Sequence, residues 1–118
     1  ERGRNLAFQQ AFDELVRGLV APLIGAAYDC DEMVYQAFPC VRVVRPGDFS
    51  IGPHADCAYG HSPFSINVYA PLTALYGSNA LYIESYPGLE DWHPIQGQHG
   101  YVKMFRGGVC AHWTTENN

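Results

Sequence analysis

Apolar residues in the first part of the chain recur near helical spacing. Leu6, Phe12, Leu15, Val16, Leu19 and Val20 predict an amphipathic helix over 5–20, and Asn5 is placed to cap its start. Gly18 and Pro22 are expected to limit its end. A short second helix is expected through Ala26 and Ala27, closing near Tyr28-Asp29. From Cys40 onward the texture changes. Short β-prone runs at 40–45, 49–56, 64–70, 80–84, 100–105 and 109–114 alternate with turn signals. The turns are Pro46-Gly47-Asp48, Tyr76-Gly77-Ser78-Asn79, Pro87-Gly88 and Arg106-Gly107-Gly108. Residues 85–98 read as a long polar loop. With no internal repeat or linker, the pattern predicts one α+β domain, mostly β: a helical segment packed on an antiparallel double sheet.

Composition adds bounds to that picture. The 118 residues suit one domain, and 47% apolar with only 16% charged is a folded composition. A net charge of −5 and the absence of a basic run argue against a nucleic-acid partner. No apolar run is long enough to span a bilayer, so no membrane partner is expected. The four cysteines, Cys30, Cys40, Cys57 and Cys110, form no Cys-x-x-Cys pair. They read as reduced, mostly buried thiols of a cytoplasmic protein, with a zinc site as the less favoured alternative.

The chemistry concentrates in His54-Ala55-Asp56 and in the later His112. Side chains two apart on a strand point to the same face, so His54 and Asp56 are expected to project together from a strand end. In the last run Cys110, His112 and Thr114 share one face and Val109, Ala111 and Trp113 the other. A histidine so placed is ordinarily a buried side chain satisfied by a hydrogen bond. Beside a His-x-Asp dyad it reads instead as a third ligand. Two histidines and a carboxylate on one side of an ion form the ligand set of non-haem Fe(II) oxygenases. Asn67 and Tyr69 share a face of the middle run; they either line the cavity, with Asn67 bonding a ligand, or form a solvent-facing row. Arg42 precedes the dyad on a predicted strand and is a second candidate cofactor contact if it points inward. Glu84 reads as a solvated strand end, with pairing to an arginine near the site as the alternative. His61 suits a substrate contact near the cavity mouth, and His93 and His99 suit the surface of the polar loop.

A longer series of residues carries a family resemblance. Arg45-Pro46-Gly47-Asp48-Phe49, Gly52-Pro53-His54-Ala55-Asp56 and Tyr59-Gly60-His61 are followed by Ile66-Asn67-Val68, Pro71-Leu72-Thr73, Gly77-Ser78-Asn79-Ala80-Leu81 and Ile83-Glu84-Ser85. Phe105-Arg106-Gly107, Cys110-Ala111-His112 and Glu116-Asn117 complete it. The series resembles the 2-oxoglutarate-dependent Fe(II) dioxygenases, specifically the phytanoyl-CoA-hydroxylase-like branch associated with streptomycin biosynthesis. The resemblance covers about residues 40–118. It implies a double-stranded β-helix (jelly-roll, cupin-like) core there, with residues 1–30 as helical support. It also implies Fe(II) held by His54, Asp56 and His112, 2-oxoglutarate as co-substrate, and O2 and a small molecule as the other reactants. Asp56, absent from related halogenating enzymes, implies hydroxylation or a related oxidation.

One departure stands out. In that family an arginine on the strand after the second histidine clamps the far carboxylate of 2-oxoglutarate, and no residue here matches it. The expectation is therefore a truncated domain, 1–118, lacking its C-terminal strand and catalytically incomplete. Two other functions remain compatible with the residues: a cupin-like metal enzyme that does not use 2-oxoglutarate, and a non-catalytic β-sandwich binding module. Succinate formation separates the first from the oxygenase, and failure to bind any divalent metal would favour the second.

Overall fold

The computed structural model describes residues 5–118. Asn5 caps the first helix, its side-chain oxygen accepting from the Phe8 N–H at 3.1 Å. Helix α1 spans Leu6–Leu15. The predicted stop at Gly18 and Pro22 does not occur. The chain continues through a π-helical stretch, Val16–Val20, into α2, Ala21–Tyr28. Proline lacks an N–H and crowds the carbonyl one turn back. Here it falls in the first turn of α2, and the wider π turn, marked by Ala21 N–H donating to the Val16 carbonyl, resets the spacing just before it. The helix ends where Asp29 turns left-handed (φ 49°) and Cys30 N–H donates to the Gly25 carbonyl at 3.1 Å.

The segment after the helix returns along it. Gln9 Nε2 donates to the Ala37 carbonyl (2.9 Å), and Arg17 Nε donates to the Tyr35 hydroxyl (3.1 Å). Phe12 and Tyr35 meet edge to face with ring centroids 6.1 Å apart. Val16 and Val20 are buried. These residues belong to one compact unit that ends at Arg42; Val43–Asn118 form a second.

The second unit holds five short strands: β1 Asn67–Tyr69, β2 Leu81–Ile83, β3 His93–Ile95, β4 Lys103–Phe105 and β5 His112–Thr114. They form two antiparallel sheets, β1-β4 and β3-β2-β5. The fold is thus α+β, with sheets compatible with a β-sandwich. In the larger sheet Ile83 pairs with both His93 and His112, and Tyr82 pairs with Pro94 and Trp113. His112 and Ile83 therefore share one face, and Trp113 and Tyr82 the other, where their rings stack with centroids 4.9 Å apart. Trp92 meets Trp113 edge-on at 5.9 Å.

Two predicted β runs and one predicted loop pair differently from expectation. The run 40–45 forms no strand, and Val41 and Val43 are exposed. Asn117 contacts the backbone there instead: its Nδ2 donates to the Val44 carbonyl (2.9 Å) and its carbonyl accepts from Gly47 N–H (2.6 Å). The run 49–56 lies along β5 without becoming a strand. His54 and His112 exchange backbone hydrogen bonds of 3.2 and 2.9 Å, and Thr114 N–H donates to the Ile51 carbonyl at 3.0 Å. The two partner pairs are offset by one residue, so the ladder is irregular. Finally, β3 arises inside the expected loop. It lies at a sheet edge, where Pro94 costs no ladder hydrogen bond.

Pro71, Leu75, Ala80, Leu81 and Cys110 are buried apolar residues of this unit. Two polar side chains are buried with them, Glu84 and His112. Among the described residues, no helix is long and apolar enough to cross a membrane.

Candidate metal centre

His54 and Asp56 do not sit on a common strand. His54 makes a single bridge to His112, and Asp56 opens a 3₁₀ turn, Asp56–Tyr59. The shared direction survives because Ala55 between them is extended (φ −103°, ψ 142°). The turn is fixed from the opposite side by Asp56 N–H donating to the Gly107 carbonyl (2.9 Å) and Cys57 N–H donating to the Gly108 carbonyl (3.1 Å). Gly60, at φ 88°, takes the left-handed conformation that closes it.

The two imidazoles and the carboxylate meet. His54 Nε2 lies 3.3 Å and His112 Nε2 3.5 Å from Asp56 Oδ1. Single ligand atoms from all three residues lie within 4.8 Å of one another, making this a group that can hold a metal ion. Ligands about 2.0–2.2 Å from one ion at right angles would be roughly 3 Å apart, close to these spacings. The His54 and His112 side chains are only 8% and 7% exposed, whereas Asp56 is 22% exposed, so the group opens on the carboxylate side.

The outer contacts set the imidazoles for ligation. His54 Nδ1 lies 2.8 Å from the Gly52 carbonyl, and His112 Nδ1 lies 3.1 Å from the Cys110 carbonyl. A carbonyl only accepts, so each Nδ1 must carry the proton and donate. That leaves Nε2 as the ring nitrogen on the Asp56 side of each imidazole. Aromatic rings flank the pair. Tyr59 meets His54 edge-on (5.3 Å) and Phe105 meets His112 edge-on (5.3 Å).

Asn67 and Phe105 are partners across β1 and β4, and both face this group. Asn67 Nδ2 donates to Asp56 Oδ2 at 2.8 Å. The apolar Val68 is the residue that faces outward, 39% exposed. Arg42, the other candidate cofactor contact, is an exposed residue at the end of the first unit. His61 and His99 are exposed. His93 is on β3 rather than in a loop, with Nε2 3.0 Å from Asp91 Oδ2.

The chain is similar to a known biosynthetic protein. Over 103 residues, 86% of this chain, it is 32% identical to the streptomycin biosynthesis protein StrG of Streptomyces griseus. The matched stretch is 47% of that protein, so the chain spans about half the length of this curated relative. No family model and no solved structure matches the chain.

Glu84 departs from its sequence reading. It is not a solvated strand end but a buried residue, 3% exposed. Its carboxylate accepts from Ala111 N–H (2.6 Å) and Glu90 N–H (3.1 Å), and its own N–H donates to the Ala111 carbonyl (3.1 Å). The Ala111 N–H, aided by Glu90, Gly88 and Leu89, holds this carboxylate below its ordinary pKa against the opposing effect of burial. Glu84 thereby fixes the residue preceding His112. The only sequence signal was an acidic residue ending an apolar strand. The cysteines also divide: Cys110 is buried, but Cys40 and Cys57 are exposed, and all four are free thiols. Burial, reinforced by the charge of Glu84, pushes the Cys110 thiol up.

Proposed function

We propose that this chain carries the metal centre of an Fe(II)- and 2-oxoglutarate-dependent oxygenase that hydroxylates a small molecule. The observation that carries the reading is the convergence of His54 Nε2, Asp56 Oδ1 and His112 Nε2. Three single-atom ligands on one side of an ion leave adjacent positions for a chelating keto acid and O2. A structural zinc site would instead be closed by a fourth protein ligand, and none joins the group among the described residues.

The strand order supports a jelly roll. The chain runs from the His54 segment beside β5 to β1 in the smaller sheet, and then to β2 and β3 in the larger one. It returns to β4 in the smaller sheet and ends at β5 in the larger. The relative named for streptomycin biosynthesis supports a small-molecule substrate.

Fe(II) with 2-oxoglutarate would supply oxidative activation of O2 coupled to decarboxylation of the keto acid, yielding succinate and CO2. The protein's share is positioning. With the Nδ1–H groups of His54 and His112 engaged by carbonyls, Nε2 is the ring nitrogen left on each to face the ion. Asp56 contributes the one anionic ligand. Phe105 packs on the His112 ring and limits water on that side, while the exposed Tyr59 stands at the rim beside His54, in reach of an entering substrate.

The test uses the protein together with the arginine-bearing strand that the resemblance calls for: anaerobic loading with Fe(II), addition of labelled 2-oxoglutarate and air, and measurement of succinate. Fe(II)-dependent succinate that disappears in His112→Ala is expected. Metal binding without succinate would favour a cupin-like enzyme that does not use the keto acid.

A further inference from the structure

Asn67 lies on the inner face of β1, paired with Phe105, and its amide donates to Asp56 Oδ2 at 2.8 Å. The other carboxylate oxygen, Oδ1, faces both imidazole Nε2 atoms. The two oxygens of Asp56 therefore have separate partners. Gly107 is what lets the amide sit there. A Cβ added to Gly107 would fall within the Asn67 side-chain amide, at 2.5 Å from Cγ and 2.8 Å from Oδ1 and nearer still to Nδ2. The Gly107 carbonyl meanwhile accepts from Asp56 N–H. Asn67, Gly107 and Asp56 thus form one packed contact that fixes both the backbone and the side-chain rotation of the acidic residue.

We infer that Asn67 is a positioning residue that restricts Asp56 to one-oxygen ligation, and that Gly107 provides the space this requires. A carboxylate is able to bind a metal through one oxygen or both. Two-oxygen binding would occupy a position that the proposed reaction needs for the keto acid or O2. Engaging Oδ2 in a hydrogen bond removes that mode and keeps the count of open positions at three. The inference rests on the metal-centre reading above and adds to it the device that sets coordination number.

The probe is Co(II), whose visible absorption weakens as coordination number rises. Titration of the full chain with Co(II) gives both affinity and spectrum, neither of which depends on turnover. Asn67→Ala is expected to weaken Co(II) binding by about 10–100-fold, the usual cost of losing a hydrogen bond to a metal ligand, and to change the spectrum. Gly107→Ala is expected to reproduce both effects, because it displaces the same amide. Gly107 does not adopt a positive φ, so alanine brings no backbone strain of its own. The combined Asn67→Ala, Gly107→Ala variant is expected to lose no more affinity than Asn67→Ala alone, since the three atoms nearest the added methyl are all ones that Asn67→Ala removes. Wild-type affinity and spectrum in Asn67→Ala would overturn the role of Asn67 while leaving the metal centre intact. Losses that multiply in the double variant would overturn the link to Gly107. Failure of the wild-type chain to take up Co(II) would overturn the metal reading and this inference together.

Discussion

At the scale of single residues, the centre depends on where three atoms point. Asp56 supplies the one negative charge among the three candidate ligands, and its oxygen is the atom both imidazoles approach. Asp56→Ala should therefore weaken Fe(II) or Co(II) binding by more than the roughly 10–100-fold typical of a lost outer hydrogen bond. Equilibrium dialysis of both proteins measures this directly, and unchanged metal content would remove Asp56 from the ligand set. The dyad was legible in the sequence because its geometry needs only one extended residue, Ala55, between two polar ones. The partner of Asn67 was not legible. Alternation placed its side chain on one face of the run but did not tell cavity from solvent, and its actual partner depends on how closely Gly107 approaches.

At the scale of elements, Glu84 ties the end of β2 to the residue before β5. Its pKa is held low in the folded protein, chiefly by the Ala111 N–H, so the ionised form is the one that stabilises. A depressed carboxylate contributes fully above its unfolded value of about 4.3, and that contribution is lost as pH falls through the lower folded value. Glu84→Gln should thus melt at a lower temperature than wild type at neutral pH, with the gap closing on acidification below about 4.3. A gap that is constant across that range, measured by thermal melts of both proteins, would show that Glu84 acts through shape rather than charge. The elements themselves were partly legible. Asn5 capping and four of the six β runs, 64–70, 80–84, 100–105 and 109–114, match the helix start and strands β1, β2, β4 and β5. The missed features share a cause: a local signal overridden by a tertiary partner. Pro22 is absorbed by a π turn, residues near Val44 bond Asn117, and Pro94 is tolerated at the edge that β2 offers.

At the scale of the whole molecule, the site joins distant parts of the second unit. His54 and Asp56 precede β1, whereas His112 begins strand β5, and a backbone bridge holds His54 and His112 side by side. Antiparallel pairing thus brings the two imidazoles together, and carbonyls two residues back on each side accept from their Nδ1–H groups. The sequence showed this only as a coincidence of residue types far apart; the alternation around His112 indicated its face, but not the strand it would meet. The most direct measurement is anomalous diffraction at the iron edge from crystals grown anaerobically with Fe(II). The account predicts one iron peak within about 2.0–2.2 Å of His54 Nε2, Asp56 Oδ1 and His112 Nε2. No peak at that point, or a peak held elsewhere such as at Asp91 and His93, would contradict it.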